Sequence, residues 1–370
     1  MNCRISYLLL VRVMKSPDKF FYLIISLFAV SLIGAGSFFV LSCGKNPGTA
    51  EIKNVVIDNV EFKKTGEVVV IPGNRKIRIS ASGDSFWNSI VSESAGEIWR
   101  GVFIKGRRVT LDSFCMAKYP VTQELFAKVM GVNPSYFKKE NLNIKYTHVS
   151  EGENPELRPV DTVSWFDAVV FCNLLTMRTM KPSDCVYYAD AASTQIYTVD
   201  DARKRVIPVF NKGKKGYRLP TEAEWEFAAR GANVKSADWY FAFSGTESQN
   251  NRIVYDTIHY SFTDSNLDHY GWYRGNSRGV THEVGTKLPN ALGLYDMSGG
   301  VWEWLYDWYD NTVYPEKTKN PCGAQSGTDR VLRGGSWDED AYTCCVTRRF
   351  HNAHPYIPHN IFGFRYCRSL

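Results

Sequence analysis

Beyond Gly231 the chain is dominated by aromatic residues, Gly, Asn and Asp, and neither a helical period nor a strand alternation is sustained for long. Any fold it adopts must bury a great deal of irregular backbone. The amides and carbonyls of that backbone need side-chain partners or a bound metal, because an unpaired buried polar group costs as much as a lost hydrogen bond. The apolar content is enough for a core. Of 370 residues, 44% are hydrophobic and 14% aromatic, which fits one large domain or two small ones and excludes disordered and fibrous classes.

The regular elements lie earlier. Between about Val55 and Leu111 short β-branched runs alternate with turn residues: Val68-Val69-Val70-Ile71 before Pro72-Gly73-Asn74, then Lys76-Ile77-Arg78-Ile79, Val102-Phe103-Ile104 and Val109-Thr110-Leu111. This pattern predicts strands of an antiparallel sheet. Ser164 with Asp167 predicts a capped helix whose apolar residues, Trp165, Phe166, Val169, Val170, Phe171, Leu174 and Leu175, fall at helical spacing. Thr221 and Glu224 form a capping box ahead of Trp225, Phe227, Ala228 and Ala229, with Gly231 as the stop. A weaker helix runs from about Thr122 through Phe126, Val129 and Met130 to Gly131.

The N-terminus reads as an export signal. Lys15 and Lys19 precede an uncharged apolar run from Phe20 to Leu41, which ends in Val40-Leu41-Ser42-Cys43 and resembles a bacterial lipobox. The expectation is a signal peptide over residues 1–42, with Met14 an alternative start, cleavage before Cys43, and diacylglycerol on the Cys43 thiol. Residues 43–54 would be the lipidated tether, joining the chain to the membrane at the outer membrane or cell surface. A membrane-spanning anchor is the alternative, because the run is longer than a usual signal core. The net charge of +6 is mild and no long basic run occurs, so no nucleic-acid partner is expected. Seven of the nine cysteines follow Cys43, at 115, 172, 185, 322, 344, 345 and 367. An odd number in an exported chain leaves at least one thiol unpaired or intermolecular.

Several segments then stand out together: Met116-Ala117-Lys118-Tyr119-Pro120-Val121-Thr122-Gln123, Arg158-Pro159-Val160-Asp161-Thr162-Val163-Ser164-Trp165, and Tyr217-Arg218-Leu219-Pro220-Thr221-Glu222-Ala223-Glu224-Trp225-Glu226. Further on come Pro289-Asn290-Ala291-Leu292-Gly293-Leu294-Tyr295-Asp296-Met297, Val301-Trp302-Glu303-Trp304, Leu332-Arg333-Gly334-Gly335-Ser336-Trp337 and Gly363-Phe364-Arg365. In order and spacing they resemble the formylglycine-generating enzyme (sulfatase-modifying factor) family over roughly Val68 to Arg365. The resemblance implies an α+β, C-type-lectin-like fold across residues 55–370, with antiparallel strands, a few helices and much irregular structure. It also implies where chemistry should be sought. The copper-dependent oxidases of the family hold Cu(I) between two cysteines shortly after the GGS turn, a soft-ligand geometry. Here those positions are Glu339 and Cys344, so no copper is expected and formylglycine-generating oxidase activity is kept only as the alternative function. The family's calcium position, carried over residue by residue, implies Ca²⁺ held by Asp296, the carbonyls of Gly299 and Val301, and Glu303. Gly300 stands where relatives usually have Asn, so the turn there is in doubt; alternatively Asp296 and Glu303 bond loop amides.

One stretch, between Gly334-Gly335-Ser336-Trp337 and Gly363-Phe364-Arg365, has no structural period at all. Within the family it resembles the C-terminal cassette of the variable lipoproteins of diversity-generating retroelements, whose template adenines are rewritten. Rewriting an AAC codon yields Asn, Asp, His, Tyr, Ser, Thr, Ile, Phe and Cys among others. On that frame Asp338, Asp340, Tyr342, Thr343, Phe350, His351, Asn352, His354, Tyr356, Ile357, His359 and Asn360 all occupy positions where Asn is expected. Glu339 needs a different adenine-rich codon. The resemblance implies that 334–365 is a binding cassette whose side chains at 338–362 meet an unidentified protein or glycan ligand, and that the chain is not an enzyme. Exposed Phe350, Tyr356, Ile357 and Phe362 would suit such a face. Three other readings use the same residues. His351, His354 and His359 with Cys344 or Cys367 have zinc-ligand chemistry but the wrong spacing, a Cys/His nucleophile lacks an orienting partner in the sequence, and an idle polar loop requires no function. Trp302, Trp304, Trp308 and Tyr309 read as scaffold in preference to a sugar-stacking platform.

Overall fold

Side-chain caps set the helices. In the computed structural model, helix α1 (Gln123–Met130) starts at Thr122, whose hydroxyl accepts from Leu125 N, and stops at Gly131 with φ of 80°. Helix α2 (Trp165–Thr179) carries the Ser164/Asp167 capping box. A short helix that no apolar period announced, α3 (Val199–Arg203), has the same device in Thr198 and Asp201. Helix α4 (Glu222–Ala229) begins with the Thr221/Glu224 box. Described residues are 101–103, 107–141, 152–249, 252–256, 261–311 and 319–370, together with the backbone of Asn59–Phe62, Val68–Val69 and Arg78–Ser80. Cys43 and the leader lie outside them. Among the described residues no helix is long and apolar enough to cross a membrane.

The strands are short and mostly antiparallel. One four-stranded sheet runs Asn59–Phe62, Phe114–Ala117, Cys367–Ser369, Tyr217–Arg218, so the C-terminal strand lies between earlier ones. A second runs Arg349–Phe350, Arg330–Arg333, Trp302–Trp308, Phe362–Gly363, and its last pair is parallel. Val68–Val69 pairs antiparallel with Arg108–Val109, as the alternation predicts. Arg78–Ser80 instead pairs parallel with Arg252–Asp256, since its partner comes from a distant segment and not from a hairpin neighbour. Val102 and Phe103 form no strand; Val102 N donates to Glu226 Oε2 at 2.8 Å.

The aperiodic region after Gly231 satisfies its backbone with side chains. Asp264 accepts from Gln249 N, Asn266 N and Leu267 N at 3.0, 2.9 and 3.1 Å. Asn290 accepts from Leu292 N and Leu294 N and donates to Ala228 O at 3.0 Å. Fixed loops of this kind replace secondary structure.

Helix α4 is buried on every side, glutamates included. Burying carboxylates is costly unless each is paired and hydrogen-bonded, and each is. Glu222 receives Arg349 through two bonds of 2.7 and 2.8 Å, Glu224 receives Arg218 likewise at 2.7 and 2.8 Å, and Glu226 is shared by Arg230 at 2.9 Å and Arg333. A fourth buried pair, Arg365 with Glu303, closes the set with two bonds of 2.7 Å. Burial alone would raise the Glu224 and Glu226 carboxyls, but the guanidiniums of Arg218 and of Arg230 with Arg333 hold both below the ordinary value.

Two carboxyls go the other way. Burial raises Asp307, beside Glu222, and Asp161 to about 7 from an ordinary 3.8. A carboxyl with a raised folded-state pKa contributes stability that is complete below its unfolded value and is lost as pH climbs through the folded one. Stability should therefore rise as pH falls from about 7 toward 4.5. Near and below that point the depressed Glu224 and Glu226 begin to take it back. Urea midpoints measured across this range should peak on the acid side of neutrality, and Asp307→Asn should flatten the neutral limb.

Candidate ligand-binding face

The cassette begins on a turn that only glycine can make. Gly334 and Gly335 have φ of 102° and 80°, and a Cβ on Gly335 would lie 2.6 Å from Cys344 Sγ. Trp337 follows, packed edge-on to Phe137 at 5.0 Å, with its indole N–H donating to Asn360 O at 3.1 Å across the cassette. At the far end, Phe362–Gly363 adds to the Trp302 strand and Arg365 seals the floor through Glu303.

Between these ends the backbone is tied down by main-chain groups of the frame. Trp302 N donates to Ile361 O at 2.8 Å, Thr162 N to His359 O at 3.0 Å, Trp165 N to Pro355 O at 2.9 Å, and Arg330 N to Ala353 O at 2.9 Å. The 271–278 loop supports the first half: Arg274 N donates to Glu339 O at 2.9 Å and the Arg274 side chain reaches Asp338 and Asp340. None of the main-chain ties depends on which side chain the cassette carries.

The twelve cassette positions divide into two kinds. Asp338, Asn352, Tyr356, Ile357 and His359 are exposed, and His351, His354 and Asn360 are half-buried. Tyr356 stacks with His354 at 5.6 Å under the Arg205 guanidinium at 4.2 Å. Asp338 and His359 are near enough to feel each other's charge. A cavity of about 320 Å³, lined by Arg274, Gly275, Asn276 and Arg278, adjoins Asp338. The remaining four are frame, contrary to the sequence expectation. Asp340 is buried and accepts from Ser261 Oγ and Phe262 N at 2.8 and 3.1 Å. Thr343 is buried and donates to Asp340 O at 2.7 Å. Tyr342 packs edge-on to Phe262, and Phe350 sits half-buried between Trp302 and Phe362 at 5.1 and 5.7 Å. Phe362 is itself buried, so only Tyr356 and Ile357 remain of the four expected apolar contacts.

The chemistry at the other nominated sites is equally specific. Cys344 and Cys345 are both buried free thiols, and burial first, with Glu339 adding to it, pushes the Cys344 thiol well up. Among the described residues no three His, Cys, Asp or Glu side chains converge on a metal position. The two carboxylates of the nominated calcium set differ. Both oxygens of Glu303 are committed to Arg365, and Oε2 also accepts from Trp225 Nε1 at 2.7 Å. Asp296 Oδ2 accepts from Gly285 N at 2.8 Å, its buried Oδ1 has no hydrogen-bond partner among the described residues, and burial raises the carboxyl to about 6. The Arg365 charge offsets part of that rise. Gly300, with φ of 75°, keeps a turn that Asn also tolerates.

Comparison with known proteins places this architecture. The sulfatase-modifying factor enzyme 1-like domain matches residues 53–370. The chain belongs to that family. The chaperone protein LppX of Paenibacillus barcinonensis is 34% identical over 245 residues, 65% of this chain and 75% of the relative. The formylglycine-generating enzyme of Mus musculus is 29% identical over 246 residues, and the match spans 59% of that enzyme. Among solved structures, Treponema denticola variable protein 1 superposes with a TM-score of 0.58 at 32% identity, covering 72% of this chain and 88% of that one. CarF, at 20% identity and a TM-score of 0.52, shares the fold.

Two outcomes test the division into frame and face. Alanine at Asp340 strands a buried hydroxyl and a buried amide and should cost about 1–3 kcal/mol in urea unfolding, whereas Tyr356→Ala, Ile357→Ala and His359→Ala should each stay within about 0.5 kcal/mol. Arg365→Met, which leaves Glu303 buried without its counter-ion, should cost about 3–5 kcal/mol.

Proposed function

We propose that this chain is a non-catalytic ligand-binding lipoprotein, displayed at the outer membrane or cell surface by lipid on Cys43, whose cassette face recognises a protein or glycan partner. The observation that carries the reading is the main-chain stitching of 353–361: the loop is held by groups indifferent to its side chains, while Asn352, Tyr356, Ile357 and His359 stay exposed. Tyr356 and Ile357 offer apolar contact area; Asp338, Asn352, His354, His359 and Asn360 offer adaptable hydrogen bonds, the composition of a paratope.

Two relatives support binding over turnover. One carries the name of a chaperone and the other that of a variable protein. The mouse enzyme keeps the oxidase as the second reading. Against it stands the chemistry of the turn. A Cu(I) pair needs two thiolates, whereas Glu339 occupies one position and the thiol at the other is buried with its ionisation suppressed.

Glycan arrays and peptide-display panning on the immobilised chain should yield binders whose Kd weakens about tenfold or more in the Tyr356→Ala/Ile357→Ala/His359→Ala triple variant, the loss expected when central aromatic contacts are truncated. Binders indifferent to that variant would count against the face. Aerobic, Cu(I)-dependent conversion of a Cys-x-Pro-x-Arg peptide to formylglycine, abolished by Cys344→Ala, would establish the oxidase instead.

A further inference from the structure

Of the seven described cysteines six are buried, and Cys322 alone among them is half-exposed. Its Sγ accepts from Lys212 Nζ at 3.0 Å, across 110 residues of sequence. Both partners stand on fixed backbone. On the cysteine side, Asn320 N donates to Thr110 O at 2.8 Å, Asn320 Nδ2 to Asp112 Oδ2 at 2.6 Å, and Asp112 N to Asn320 Oδ1 at 2.7 Å. Ala324, two residues past Cys322, bridges to Trp308. On the lysine side, Asn211 N donates to Val186 O at 2.9 Å, and the Asn211 side chain accepts from Gly213 N at 3.1 Å. The preceding Phe210 packs on Tyr306 with ring centroids 4.3 Å apart. An amine nitrogen and a sulfur are thus held together by two tethered turns, at a separation that one bridging atom can span.

We propose that Lys212 and Cys322 form a modification site, at which dioxygen links them through a single oxygen as an Nζ–O–Sγ crosslink. Starting from the amine and the thiol, O₂ adds one oxygen between nitrogen and sulfur while the other leaves as water with one amine hydrogen and the thiol hydrogen. N–O and O–S bonds form, and the O–O bond, one N–H bond and the S–H bond break. Nitrogen and sulfur each give up two electrons, which together reduce both oxygen atoms of O₂. A disulfide is disfavoured because the other described thiols are buried. The crosslink staples the turn after Phe210 to the segment that bridges to Trp308, and external thiols reverse it by reducing both the O–S and the N–O bond, four electrons and four protons restoring the amine and the thiol and releasing the oxygen as water.

The test uses the full chain, reduced, freed of reductant and held in air-saturated buffer, with circular dichroism to confirm that the variants are folded. The intact mass should gain one oxygen and lose two hydrogens, a peptide map should join the Lys212 and Cys322 peptides, and dithiothreitol should undo both. Lys212→Met and Cys322→Ser should each lose the shift completely. Cys322 found only as a free thiol, as whole-oxygen adducts or in a disulfide would overturn the proposal, as would the same mass shift in Lys212→Met. If either variant fails to fold, the joined peptide in the native chain decides the matter by its presence or absence.

Discussion

Four buried glutamates, each paired with arginine, determine how the C-terminal half is arranged. Glu222, Glu224 and Glu226 project from one eight-residue helix, and their partners Arg349, Arg218 and Arg333 arrive from three different strands; Arg365 meets Glu303 below. A buried carboxylate cannot be left without its cation, since the uncompensated charge costs several kcal/mol. Short strands of two to four residues have little hydrogen-bonding of their own to fix their place, as with Arg349–Phe350 and Arg330–Arg333. The pairs supply that positional information. They also account for the position of Arg in segments such as Leu332-Arg333-Gly334-Gly335 and Gly363-Phe364-Arg365.

Much of this was legible in the sequence wherever a local rule had a local signature. The helices α1, α2 and α4 followed from Thr122, Ser164 and Thr221 with their capping partners, because a cap is a contact between residues three apart. The parallel pairing of Arg78–Ser80 with Arg252–Asp256 was not legible, since nothing near residue 78 names a partner more than 170 positions away. The cassette shows the same limit. Asp340 and Thr343 share the polar character of the face, yet they are spent on Ser261, Phe262 and each other. Residue type announces hydrogen-bonding capacity but not which way it is used. Glu303 shows the same limit: its residue type suits a metal cation, and both of its oxygens are taken by Arg365.

The frame and the face obey different physics. The frame is overdetermined by aromatic packing, glycines at positive φ and ion pairs without access to water, so single changes there are felt at once. The face has few obligations. Its carbonyls at 353, 355, 359 and 361 are met by main-chain amides of Arg330, Trp165, Thr162 and Trp302, which leaves side-chain identity nearly free of folding cost.

That stitching has a geometric corollary. The ties at residues 353, 355, 359 and 361 fall in a fixed order along the loop, and each assigns one residue to one partner on the frame. An inserted or deleted residue would move every later tie out of step, including the Trp337 bond to Asn360 and the strand at Phe362–Gly363. The cassette is therefore a ruler of set length with interchangeable markings: its alphabet is open, and its count is not.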